Sequence, residues 1–268
     1  MKLIPSSLLL ACGICLSGVS LGQEVETRTL EYSADGQTFK GTLAWDAEQD
    51  GVRPGVLVVH EWWGLDEHAR GVARRLAEKG YIGLAVDMYG NAETADHPDD
   101  AAAMAGSVRG DINTSRNRFL AARDALASHE HVDADRIAAI GYCFGGSVVL
   151  DMARTGVDIA AVISVHGALA TETPAEKGTV TARILVLHGE ADELVPPDQM
   201  NAFREEMAEA EVGYRFVGFE GAAHSFTNPE ADRFAEEFEL PLAYDEEADE
   251  AAWEEITRFL AKVLSDEE

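Results

Sequence analysis

Hydrophobic and polar positions fall into two regimes along this chain. Between residues 25 and 45 they alternate. VETRTLEY (25–32) and TFKGTLAW (38–45) each read as a strand with one buried face, and Asp35-Gly36 is a turn signal between them. After Pro54 the alternation gives way to unbroken apolar runs: GVLVVH (55–60), YIGLAVDMY (81–89), RIAAIGY (136–142), IAAVISVHG (159–167) and ARILVLHGEAD (182–192). Short continuous runs suit strands buried on both faces, as in a parallel sheet. YRFVGFEG (214–221) reads as one more strand. Helical spacing marks 66–80 and 144–156, both closing on glycine, then 112–130, 196–211, which proline opens, and 246–264. Residues 91–111 are polar and small, and admit either a loop or a short helix.

Strands alternating with helices predict an α/β fold, with a mostly parallel, doubly wound sheet and helices on both faces. Ligands in such sheets gather at the carboxyl ends of the strands. Those positions hold His60-Glu61-Trp62, Cys143, Asp192 and His224. Cys143 stands in Gly141-Tyr142-Cys143-Phe144-Gly145-Gly146, between a strand and a helix. Gly-x-nucleophile-x-Gly in that context outlines a nucleophile elbow. Gly141 and Gly145 flank the turn where a Cβ would clash with the neighbouring strand or helix, and Gly146 allows close packing. The start of the following helix favours a thiolate. It also offers the Phe144 N–H as an oxyanion donor, and the Trp62 N–H is the expected second donor. The competing reading of Cys143 is a small buried residue in a glycine-rich turn. The chain order of nucleophile, acid and histidine is that of the α/β-hydrolase fold. His224 is the expected general base, then general acid. Asp192 is expected to hold its tautomer, with Glu190 and Glu193 as rivals.

HEWWG (60–64), GYCFGG (141–146), HGEADELVP (188–196) and GAAHSF (221–226) resemble the dienelactone hydrolase family, and the likeness spans roughly residues 25–264. The resemblance implies a single α/β-hydrolase domain without a large lid, and a Cys143–Asp192–His224 triad. It also implies a carboxylate, Glu61, that helps activate the thiol when substrate binds. Trp62, Trp63 and Tyr142 are expected to border the substrate pocket. One departure stands out. Family members that act on the dienelactone carboxylate use pocket arginines, one of them shortly after the active-site histidine. Here Ser225-Phe226-Thr227-Asn228-Pro229 follows His224, with no arginine. Dienelactone itself is therefore an open question.

A thiol nucleophile narrows the substrate. With an ordinary pKa of about 8.5, a thiolate is a weaker base than an alkoxide or amide nitrogen, so attack on amides and plain alkyl esters would mostly reverse. Activated esters, enol lactones and thioesters have leaving groups that compete. The expected partner is thus a small-molecule ester or lactone, with no cofactor and no metal. His129-x-His131 reads as an accidental pair. A non-catalytic ligand-binding protein on the same fold is the alternative.

The 268 residues are 46% hydrophobic, enough for one packed domain. The formal net charge of −28 argues against a nucleic-acid partner or an anionic membrane surface. Residues 1–22 stand apart. Lys2, the apolar run Leu8–Leu16 and the small residues up to Gly22 read as a signal peptide. A rival reading is lipoprotein processing at Cys12. Cleavage after Gly22 leaves Cys143 as the lone cysteine of a domain spanning 23–268. The expectation is therefore an exported, periplasmic or secreted monomer without stable membrane insertion. A redox sensor would lack a resolving thiol.

Overall fold

A computed structural model describes residues 24–265, so the expected signal peptide lies outside the described residues. The chain runs β1 (Val25–Ala34), β2 (Gln37–Asp46), β3 (Arg53–Val59), α1 (Glu67–Ala77), β4 (Ile82–Val86), α2 (Pro98–Arg109), α3 (Ile112–Ala127), β5 (Val132–Tyr142), α4 (Phe144–Arg154), β6 (Ala161–Val165), β7 (Arg183–Gly189), α5 (Pro197–Glu209), β8 (Tyr214–Phe219), α6 (Ala231–Phe238) and α7 (Glu246–Val263). One eight-stranded sheet has the order β1-β2-β4-β3-β5-β6-β7-β8. The alternating pair β1 and β2 is antiparallel, and β2 meets β4 antiparallel. The apolar runs from β4 through β8 are all parallel.

Strand periodicity divides the core into two layers. Leu57, Val59, Leu84, Ala139, Val162 and Val186 face a cluster that includes Phe119 of α3, Val148 of α4 and Phe203 of α5. Their neighbours Val56, Val58, Ala85, Ile140, Ile163 and Leu187 face Leu76 of α1 and Ile256 and Leu260 of α7. Caps set the helix starts. Asp66, Asp111 and Asp245 each accept a backbone N–H at the head of α1, α3 and α7. In the 91–111 stretch, Pro98 at N1 and the His97 side chain, which accepts from Asp99 N–H, favour the helix. Two features differ from the sequence pattern. A register shift between Pro54 and Gly55 lets β5 start at Val132 rather than 136. Helix α6 was not legible, because its two phenylalanines find their partner in distant Trp63, which stacks on Phe234 at 4.1 Å between ring centroids.

Candidate active site

β5 ends at Tyr142 and α4 begins at Phe144, leaving Cys143 to make the whole turn. It does so at φ 50 and ψ −111, a strained conformation for any residue with a side chain. The glycines explain how the chain fits. A Cβ on Gly141 would lie 2.0 Å from the Gly145 oxygen, and one on Gly145 would lie 2.3 Å from the Val59 oxygen. Gly145 N–H donates to the His60 oxygen (3.1 Å), which locks the turn against the end of β3. The His60 ring also stacks on Phe144 at 5.6 Å. Burial keeps that ring neutral, pushing its pKa down to about 4.

His224 follows β8 in a loop, buried at 4% exposure. Its Nδ1–H donates to Asp192 Oδ2 at 2.8 Å. The other Asp192 oxygen accepts from Leu194 N–H (2.8 Å) and Val195 N–H (3.2 Å). The carboxylate is thus aimed by its own backbone turn, while Glu190 and Glu193 are exposed. His224 Nε2 is buried and has no hydrogen bond of ordinary geometry. The group that acts on it is Cys143. Burial alone would depress the imidazole, but the charge of the neighbouring cysteine, together with the hydrogen bond to Asp192, pushes its pKa up to about 10.

Cys143 and His224 share the wall of a cavity of about 330 Å³. Trp62, Phe144, Leu194 and Leu242 supply apolar surface, and Arg109 of α2 is the formal cation on the wall. Arg109 lies 3.8 Å from Asp151, its nearest carboxylate. A larger groove of about 620 Å³ runs along the opposite, starting ends of β7 and β8. Its walls carry no cysteine or histidine among the described residues, so the chemistry belongs to the smaller cavity.

Two expectations need correction, those for Trp63 and Tyr142. Trp63 does not line the cavity. It is 2% exposed, packed between Phe234 and Phe238. Tyr142, also 2% exposed, points into the opposite core layer against His68, because alternation along β5 sends it there. Glu61 is buried and is not part of the cavity wall, with Oε1 accepting from Ser225 Oγ (2.7 Å) and Oε2 from Asn228 Nδ2 (2.5 Å). Its carboxylate holds the loop after His224 through these two bonds. Burial, chiefly, raises its pKa to about 7. Sequence reasoning passed over Ser225, Thr227 and Asn228, which look like ordinary loop polar residues. All three are buried, and the one local signal was their position directly after His224.

Residues 39–264 match the model of the dienelactone hydrolase family. The chain belongs to that family. Similar proteins include a putative carboxymethylenebutenolidase of Salmonella typhimurium, 29% identical over 205 residues, covering 72% of this chain and 75% of that one. Among solved structures, a dienelactone hydrolase-like promiscuous phosphotriesterase from metagenomic libraries is 33% identical, with a TM-score of 0.83 and coverage of 90% and 99%. The structure titled m3DLH is 36% identical, with a TM-score of 0.85 and the same coverage. This dienelactone hydrolase family member is a hydrolase with the α/β-hydrolase architecture, as its eight-stranded sheet displays. Among the described residues no helix is long and apolar enough to cross a membrane.

Proposed function

We propose that this hydrolase cleaves activated carboxylic esters, enol lactones or thioesters through Cys143, His224 and Asp192. The observation that carries this reading is the buried His224. One of its nitrogens is fixed on Asp192 at 2.8 Å, and the other is left without an ordinary partner on the cavity wall shared with Cys143. The thiolate attacks the acyl carbon and a C–S bond forms. The negative oxygen collects at the Phe144 and Trp62 N–H groups. The C–O or C–S bond to the leaving group then breaks, with His224 Nε2 supplying the proton. Water, deprotonated by His224, attacks the acyl-thioester and releases the acid and the free thiol. Glu61 serves by holding the His224 loop through Ser225 and Asn228.

The test is a panel of aryl esters, enol lactones and thioesters on wild type and Cys143→Ala. Turnover in wild type that falls to background in the variant is expected, and equal rates in both would sink the nucleophile assignment. Alkyl amides should be poor substrates. An aryl phosphotriester belongs in the panel, because the apolar cavity suits a neutral triester and one similar structure is titled a phosphotriesterase. Iodoacetamide separates catalysis from mere ligand binding. An activated Cys143 alkylates readily at neutral pH, whereas an inert one resists. The reading includes export, with residues 1–22 removed.

A further inference from the structure

The mechanism above leaves one buried histidine beside the nucleophile without a task. His166 follows β6 and is 0% exposed, with a left-handed backbone at φ 40. That conformation is costly for a residue with a Cβ and is kept only where the surroundings enforce it. Its Nδ1 accepts from Cys143 N–H at 3.1 Å. An amide can only donate, so Nδ1 is bare and the ring proton sits on Nε2. That nitrogen lies 3.0 Å from Thr227 Oγ1 and donates to it. Burial and the neighbouring His224 and His68 keep the ring neutral.

The backbone does not need this ring to satisfy its own hydrogen bonding. Cys143 N–H already reaches the Val165 oxygen at 3.0 Å. What the ring adds is a rigid link between the cysteine turn and the loop carrying His224. Thr227 is three residues beyond His224, and its carbonyl is held from the other side by His68 Nε2–H at 3.1 Å. The ring also lies 5.2 Å from that of His224, centroid to centroid, and 3.9 Å from Glu61 Oε1.

We infer that His166 is a positioning residue that sets the separation of Cys143 and His224 by bridging the Cys143 amide to the Thr227 hydroxyl. It touches no substrate and acts through those two groups. The inference rests on the proposed roles of Cys143 and His224. A flexible or apolar side chain of similar volume would fill the space but leave the two segments free to drift. A displacement of that kind costs on the order of 100-fold in rate.

The experiment is a double-mutant cycle on an aryl ester, with His166→Asn, Thr227→Val, the double variant and Cys143→Ala, each checked by thermal unfolding. Asparagine tolerates the left-handed backbone and can still accept from Cys143 N–H, but it cannot reach Thr227. Each single variant should lower kcat roughly 10- to 100-fold with KM within about twofold, and slow iodoacetamide labelling of Cys143. The double variant should fall no further than the worse single, since both cut one bridge. Folded variants with wild-type kcat, or losses that multiply in the double, would overturn the inference. If His166→Asn does not fold, Thr227→Val, which removes one buried hydroxyl, decides alone. A dead Cys143→Ala beside a fully active Thr227→Val removes this inference only. A fully active Cys143→Ala removes both it and the reading beneath it.

Discussion

At Glu61 two physical demands compete. Burial opposes its charge, and the nearby Asp66 adds to that; Ser225, Asn228 and His224 support the charge. Burial wins, and the group titrates at about 7 when folded against 4.5 when free. The folded protein therefore binds this proton more tightly than the unfolded chain. The resulting stability is complete below pH 4.5 and is lost as pH rises through 7. Its size is of order 3 kcal/mol. Glu61→Gln cannot ionise. Wild type should therefore lose melting temperature relative to Glu61→Gln on going from about pH 5 to about pH 8. Parallel melting curves at the two pH values would contradict the assignment. Cys143, Asp192 and His224 were legible because each follows an apolar run and carries reactive chemistry. The partners of Glu61 were not. Ser225 and Asn228 lie 164 and 167 residues away in sequence, and nothing local marks a loop serine or asparagine as a carboxylate ligand.

At the scale of elements, glycines divide by what surrounds them. Gly145 lies in the first turn of α4, with backbone oxygens from Val59 and His60 at 2.3 and 2.7 Å from any added Cβ. Backbone cannot step aside as a side chain would, so Gly145→Ala should destabilise by about 1–3 kcal/mol or more. Gly106 is interior to α2 with nothing within 4 Å of an added Cβ. Gly106→Ala should stabilise by roughly 0.5–1 kcal/mol, because glycine costs a helix backbone entropy. Urea unfolding of the two variants checks both signs, and a stabilised Gly145→Ala would refute the packing argument for the elbow. The same contrast explains what the pattern could show. Strands β3, β4, β6 and β7 announce themselves because burial on both faces leaves few polar positions. α2 stayed ambiguous because it is rich in alanine and has little apolar stripe; Ala101 and Val108 are its buried residues. α6 was hidden because Trp63, its docking partner, comes from the opposite half of the chain.

Over the whole molecule, a charge of −28 makes the surface repel itself. Several surface ion pairs, such as Arg233 with Glu230 and Glu237, are exposed and contribute little. Shortening the screening length from about 30 Å to about 3 Å, between roughly 0.01 and 1 M salt, should therefore raise the melting temperature. A fall over that range would mean that attractive pairs outweigh the repulsion. A last consequence concerns how such a molecule can change. Leu240, Pro241 and Leu242 form part of the cavity wall. The same strip bridges to His224 at Leu242, and Ala243 N–H donates to the His224 oxygen at 3.2 Å. Cavity wall and imidazole support are thus one piece of chain. A lineage that recuts this wall for bulkier guests loosens its imidazole in the same stroke, so a change of guest here must be matched by a change elsewhere in the fold.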